Sequence, residues 1–589
     1  MRCRVPVIIL ALLLLPTATP AWAQNGLTAG ALNLKSTFDN IGIRAAFTGD
    51  ANANATATVQ FRKVGDVTFK NAFTPVIDHR ATINGTANPG ANEGRLSIVG
   101  LTPGTMYEVV WTWSDPDSVT GTNPRSGTIS TLSSTALTIS ESWVSMTDGT
   151  CGGHAPCFST IPAAITAAVA GTKIRVMPGS YPPLTISKSG SAGAGYIAIV
   201  GENRDTTFIT GGSSVTSNIT MAASASYVQV KNFRLKPTAH NSVVVGANAH
   251  HLWFENLYHE DVHGAGTCTS GDYDDAGFFF SDGTHEIFVI NNTILGTWLL
   301  TCTVPGTDWD QIVNGIDMYG TSAIGGFVIK GNTINGGFRD CIGDGGETWG
   351  DGFRDNSDII NNTVTNCKDD GIQMEGEDMN LRIGGNNVDA NRGNSTMAMA
   401  AHLVGPVYVY RNVFYQHGNP GYCGKMYENT QGYGFFIHNT CHAINGSDGF
   451  SGGGNANGNP FDNFYNNIIV SNNICLDTFA STSKANGNLY QCGAYFQSWG
   501  GSSYGSVAAF RTGTGNEVNG KQGNPLFIDV QKHIDATSPA FNAGIIIPNF
   551  NSLDSAWPYA GVAPDIGAFE VGGALPPIPP TAPIGLILQ

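Results

Sequence analysis

A loose internal repeat constrains this chain more than any other feature. An asparagine at the head of a short β-prone run recurs at Asn232, Asn256, Asn292, Asn332, Asn362, Asn387, Asn412, Asn439 and Asn467, at intervals of 24, 36, 40, 30, 25, 25, 27 and 28 residues. A period in the twenties, lengthened by insertions in some turns, is the signature of a solenoid. The runs beside the asparagines, such as Ile287 to Ile290, Phe327 to Ile329 and Val407 to Tyr410, are separated by Gly and Asn. They are too short for helices and too far apart for hairpins. If successive turns stack as parallel strands about 4.8 Å apart, the asparagine side chains superpose and bond to one another and to the turn backbone as a ladder. Inward Ile, Val, Leu and Phe then fill one long core. The pattern predicts an all-β chain dominated by a right-handed parallel β-helix.

Composition agrees. Charged residues make up only 13% of the 589, and glycine numbers 75, which suits a turn-rich β protein. A net charge of -16 argues against nucleic acid or an anionic membrane as partner. A polyanionic substrate would need a local basic groove or bound cations. Arg2 and Arg4 precede the apolar run Val7 to Leu15, and Ala21-Trp22-Ala23 has the small-x-small form of a cleavage site. Residues 1–23 therefore read as a signal peptide and the protein as secreted, extracellular or periplasmic. No later stretch is long and apolar enough to be a transmembrane segment. Cys3 lies in the signal and 10 cysteines follow it. Pairing neighbours (151 with 157, 268 with 302, 341 with 367, 423 with 441, 475 with 492) would close loops within a turn or between adjacent turns, although sequence leaves the connectivity open. Zinc ligation is the competing use, and no Cys-x-x-Cys supports it.

Residues 24–137 differ from the rest. Alternating runs such as Ala55 to Phe61 and Glu108 to Trp113 predict a small antiparallel β-sandwich. Within it, Leu101-Thr102-Pro103-Gly104-Thr105-Met106-Tyr107 resembles the fibronectin type III signature, with Tyr107 as the corner tyrosine. Residues 138–572 carry the solenoid pattern. Its opening segment, an amphipathic stretch from Phe158 to Gly171 followed by Thr172 to Tyr181, resembles that of pectate-lyase-like β-helices, in which a short helix caps the open core. Such a cap is needed because a bare solenoid end exposes apolar side chains and unpaired strands. Gly523 to Phe527, Ser538 to Gly544 and Pro564 to Glu570 resemble the closing turns of exported bacterial β-helix proteins. Residues 573–589 form a Pro-rich tail.

Counting eight residues forward from the repeat asparagines leads from Asn332 to Asp340, from Asn362 to Asp370 and from Asn387 to Ser395. Counting back from the next asparagine places Asp275 and Asn314 in about the same register. The expected result is a polar stripe of Asp275, Asn314, Asp340 and Asp370 at the start of one strand. Stacked carboxylates repel, so one pKa rises and an acid/base pair becomes available, or else a cation is recruited. Asp369 stands beside Asp370, while Asp317, Gln373 and Glu375 alternate outward and Ile316, Ile342, Ile372 and Met397 alternate inward. The plainer alternative is that Asp340 and Asp370 cap turns by accepting backbone N–H groups. Insertions at 258–284, 296–313 and 343–355 fall beside the same stripe and carry His259, His263, Trp298 and Trp349. Long loops beside a rigid scaffold often carry function. For the two histidines ordinary loop polarity is preferred to a metal pair, and packing on the helix wall competes with sugar stacking for the tryptophans.

Asp369-Asp370, with Asn314-Gly315-Ile316-Asp317 before it, resembles the acidic positions of polygalacturonase-type hydrolases. The Gly-His-Gly of those enzymes is absent, and Arg382-Ile383-Gly384 lacks the Lys of their Arg-x-Lys element. The resemblances imply an extracellular polysaccharide-cleaving enzyme. In its hydrolase form Asp340 and Asp370 cleave the glycosidic bond with Asp369 assisting, Asp317, Gln373, Glu375, Trp349 and Arg382 bind substrate, and no cofactor is required. The alternative is a lyase in which Asp275, Asp340 and Asp370 hold Ca2+ and Lys368 or Arg382 takes the proton. A third possibility is a non-catalytic surface or adhesion protein whose ladder is purely structural and whose sandwich binds a partner.

Overall fold

The computed structural model describes residues 25–266, 275–302, 313–318, 324–343, 350–390, 392–418, 420–427, 430–453 and 458–572. From Leu27 to Ser130 the chain forms two small, mainly antiparallel sheets of five and four strands, with a two-stranded hairpin of Thr82–Ile83 and Thr86–Ala87 beside them. Alternate residues such as Ala57, Val59, Phe61, Val109, Trp111 and Trp113 fill the core between them. At its corner the Thr102 N–H donates to the Tyr107 hydroxyl at 2.9 Å.

From Ser140 onward the chain winds as a parallel β-helix. One face is a 14-stranded parallel sheet, and the rest of each turn runs on as a 24-stranded sheet containing two strand ladders. A representative turn comprises Asp358–Ile360, Thr363–Thr365 and Asp370–Gln373, after which Leu381–Gly384 lies directly on Asp358–Ile360. Ile316, Ile342, Ile372 and Met397 stack in register and are fully buried. The solenoid is plugged at one end by the helix Ile161–Ala167, whose Thr160 hydroxyl caps Ala163 N–H. A second helix, Val507–Thr514, plugs the other, where Phe510 stacks on Phe496 at 3.9 Å. Sequence periodicity does not distinguish that helix from the closing turns around it. No helix among the described residues is long and apolar enough to cross a membrane.

The asparagine ladder exists, with a corrected membership. Asn292, Asn332, Asn362, Asn386, Asn412, Asn439, Asn467 and Asn488 each place a side-chain oxygen against the N–H of a neighbouring turn, and the row ends on Glu517. The residue before each ladder position has a left-handed φ: 54° at Asn291, 57° at Asn361, 65° at Gly385, 53° at Arg411 and 55° at Asn466. Asparagine and glycine tolerate that turn best. An Asn-Asn pair therefore supplies the turn with its first residue and the ladder with its second. Asn232 and Asn256 are turn residues, followed in the ladder position by buried Phe233 and Leu257. Gly385 makes the turn before Asn386, so Asn387 is displaced to the surface.

Four disulfides, Cys151–Cys157, Cys341–Cys367, Cys423–Cys441 and Cys475–Cys492, pair neighbouring cysteines as expected. The pairing expected of Cys268 falls on a residue outside the described ones.

His259 departs from the expectation of loop polarity. Its strand, Tyr258–His259, stacks Leu235, His259 and Ile294 in one row of the core. The ring is fully buried, lies 4.7 Å from Phe278, and neither nitrogen has a hydrogen-bond partner among the described residues. Burial depresses its pKa to about 3. The folded state keeps this imidazole neutral while the unfolded chain protonates near the ordinary 6.5. Stability is therefore lost as pH falls from about 6.5 toward 3. His259→Leu is expected to stabilise the protein by roughly 2 kcal/mol at pH 7 by removing two unsatisfied polar atoms. The advantage should widen by about 2 kcal/mol at pH 5. Urea unfolding at the two pH values checks both figures, and an unchanged difference would show that burial does not depress the pKa of this ring.

Candidate active site

The acidic stripe is carried on the strands Asn314–Met318, Ile342–Gly343, Asp370–Gln373, Ser395–Ala398 and Tyr422–Lys425, stacked in that order. Register places Asn314, Asp340, Asp370 and Ser395 one above another. The N–H of Asp340 donates to Asn314 Oδ1 at 3.2 Å, and the N–H of Asp370 donates to Asp340 Oδ1 at 3.1 Å. The Ser395 hydroxyl donates to Asp370 Oδ1. Asp340 thus spends one oxygen on the backbone of the next turn, whereas Asp370 spends one on the Ser395 side chain.

The remaining oxygens converge. Asp340, Asp369 and Asp370 each offer an oxygen within 4.8 Å of the others. Asp340 Oδ2 and Asp369 Oδ1 are buried without a hydrogen-bond partner among the described residues. Arg339 Nε approaches Asp340 Oδ2 at 3.3 Å. Lys425 Nζ stands 2.9 Å from Asp370 Oδ2. Burial, with the neighbouring charges of Asp370 and Asp340 adding to it, pushes Asp369 up to about 8. Burial likewise raises Asp340 to about 6, Arg339 opposing and the Asp370 charge reinforcing the rise. Burial disfavours the charge on Lys425, but Asp370 and Asp369 outweigh it and hold the ammonium above its ordinary range.

Two buried carboxylate oxygens that accept no hydrogen bond among the described residues, the one on Asp340 ion-paired with Arg339, lie beside a third carboxylate and form an all-oxygen donor set that fits a hard divalent cation such as Ca2+.

Other expected site residues are distributed differently. Asp317 and Gln373 share the outward row that continues through Ala398 to Lys425. Gln373 donates to Glu375 at 3.2 Å, and all three of Asp317, Gln373 and Glu375 are buried. Trp349 lies outside the described residues. Arg382 is corrected: it sits on the 14-stranded face, fully buried, with Nε 2.5 Å from Asp358 Oδ1 and Nη1 2.8 Å from Asn356 Oδ1. The sandwich covers it through Ser97, so it can neither bind substrate nor act as base. Lys368 Nζ donates to the Cys302 carbonyl at 3.0 Å. Asp275 lies one residue short of the stripe, because Ala276 pairs with Asn314, and it joins a separate group with His240 and His263.

Sequence counting missed Lys425. The interval from ladder asparagine to strand start grows from eight residues at Asn362 to Asp370 to ten at Asn412 to Tyr422, so fixed counting loses register. Extending the outward row Asp317, Gln373 by strand alignment would have reached it. Tyr422 and Tyr427, half-buried with rings 5.5 Å apart, flank the lysine.

Among solved structures the chain is similar to pectate lyase Pel9A, at 17% identity and a TM-score of 0.41, covering 74% of this chain and 96% of that one. It is also similar to a Yersinia enterocolitica family 28 exopolygalacturonase, at 11% identity and a TM-score of 0.27, covering 81% and 97%. No protein-family model matches the chain, and no curated protein matches it in sequence.

Proposed function

We propose that the protein is an exported enzyme that cleaves an acidic polysaccharide by cation-assisted β-elimination at Asp340, Asp369, Asp370 and Lys425. The observation that carries this reading is the three-carboxylate cluster, two of whose buried oxygens accept no hydrogen bond among the described residues, with an amine 2.9 Å from the third acid. The four disulfides support residence in an oxidising compartment. An extended solenoid face suits a long chain substrate, and tyrosines beside Lys425 offer apolar surface to sugar rings.

Bound between the acids and a uronate carboxylate, a divalent cation would neutralise both and acidify the C–H next to that carboxylate. Lys425, having first given up its own proton to solvent, takes this C–H proton. The C–H electron pair then becomes a C=C bond as the glycosidic C–O bond breaks, and the departing oxygen keeps the pair of that bond and takes a proton from water. Asp370 orients the amine, and Ser395 fixes Asp370 in turn. The acids that hold Lys425 protonated are the same ones that ligate, so committing them to a ligand eases proton loss from the amine. Arg339, on the other side of Asp340, is placed to pair with a substrate anion.

A hydrolase reading is favoured by one observation: with its pKa near 8, Asp369 keeps a proton at neutral pH and could serve as general acid. Acidic and neutral polysaccharides incubated with the protein, with calcium or with EDTA, separate the two. Elimination predicts products with an unsaturated end that absorb in the near ultraviolet, formed with calcium and abolished by EDTA. Saturated products indifferent to EDTA would replace it with hydrolysis, and no cleavage of any acidic glycan would refute both.

A further inference from the structure

We infer that His240, His263 and Asp275 form a second metal site, for a transition-metal ion of the zinc type, in the same groove and separate from the acidic cluster. His240 immediately precedes the strand Asn241–Val245, and Asp275 immediately precedes Ala276–Phe280, which stacks on it one turn later. From that strand the order runs through Asn314–Met318 to Ile342–Gly343, so Asp340 lies two turns further along the face, about 10 Å at the spacing of parallel strands.

The geometry is convergent. His240 Nδ1 lies 2.8 Å and His263 Nδ1 3.1 Å from the same oxygen, Asp275 Oδ2. The other oxygen of Asp275 accepts from Asn241 Nδ2 at 3.2 Å, and Asn241 Oδ1 accepts the Ala276 N–H at 2.6 Å. The carboxylate is therefore oriented from behind, as outer-shell partners orient metal ligands. His263 and Asp275 are 1% and 6% exposed, whereas the His240 side chain is half exposed and gives access. A carboxylate buried this deeply needs a positive partner, and two imidazoles facing one oxygen supply it either as an imidazolium or as shared ligands of one cation.

Space for the buried ring is built in. Gly266 donates its N–H to the His263 carbonyl at 2.9 Å, and a Cβ at that position would stand 2.4 Å from His263 Nε2. Trp298 packs against the other side, with ring centroids 5.5 Å apart. Two imidazole nitrogens and one carboxylate form a borderline donor set suited to zinc, unlike the all-oxygen set of the acidic cluster.

Isothermal titration of the EDTA-stripped, secreted-length protein with Zn2+ and with Ca2+ tests this, with Co2+ absorption as a spectroscopic readout. One zinc site in the micromolar range or tighter is expected, unaffected by Asp340→Asn with Asp369→Asn. His240→Ala, at an exposed position that leaves the fold intact, should weaken zinc at least tenfold and remove the visible Co2+ band; Asp275→Ala should abolish binding, with circular dichroism checking the fold of each variant. The inference is overturned by absence of zinc binding, by zinc binding that survives His240→Ala, or by loss of the site in the acidic-cluster variant.

Discussion

Replacing Lys425 with alanine is expected to lower turnover about a thousandfold, the scale of a lost general base. Stability should fall as well, because Asp370 is fully buried and loses the cation on Oδ2 while keeping Ser395 on Oδ1, so turnover is compared on a variant whose fold circular dichroism has checked. Lys425→Arg separates two roles that alanine removes together. Guanidinium keeps the positive charge beside Asp370 but does not release its proton in a protein. If Lys425 abstracts the proton, the arginine variant retains KM and loses kcat nearly as far as the alanine variant. If the charge alone matters, arginine restores kcat to within about tenfold of the parent, and the proton-transfer role is wrong. Initial rates of unsaturated-product formation at saturating calcium provide both parameters.

The acids of this site are legible in the sequence because they share the period of the ladder. Asp340 and Asp370 occupy equivalent positions on adjacent turns, and strand pairing of Ile342 with Ile372 reproduces the count. What periodicity cannot show is which outward position another part of the chain covers. Arg382 reads as a free cation in its own turn, yet the sandwich, whose last strand ends some 250 residues earlier, supplies Ser97 above it. Docking of the sandwich also buries Tyr408, Tyr410, Phe435 and Ile437, which point away from the solenoid core. His259 and His263 fail for the opposite reason. They open an insertion and look like loop residues, but the chain holds the first in the core row before it leaves the scaffold and folds the second back beneath Trp298. Polarity suggested surface in both cases, and backbone register decided otherwise.

The ladder itself yields the largest expected change in stability, and the contrast lies between adjacent residues. Asn386 is buried, and its Oδ1 accepts both the Asn362 N–H at 2.8 Å and the Asn362 Nδ2 at 3.0 Å. Its Nδ2 donates to Asn412 Oδ1 at 2.9 Å and to the Ile359 carbonyl at 2.8 Å. Asn386→Ala removes all four bonds and strands the Asn362 N–H inside the solenoid, away from water. At about 1–3 kcal/mol for each buried group left unsatisfied, a loss of about 4 kcal/mol is expected. Asn387, one residue on, is exposed and outside the row, so Asn387→Ala should change stability by less than about 0.5 kcal/mol. A break in one turn of a stacked array also interrupts the coupling between its neighbours, so the Asn386 variant should open locally as well as unfold earlier. Denaturant unfolding followed by tryptophan fluorescence, with limited proteolysis to locate the opening, measures both effects. Equal midpoints for the two variants would mean that the row does not hold the turns together, and the fold would then rest on its apolar core alone.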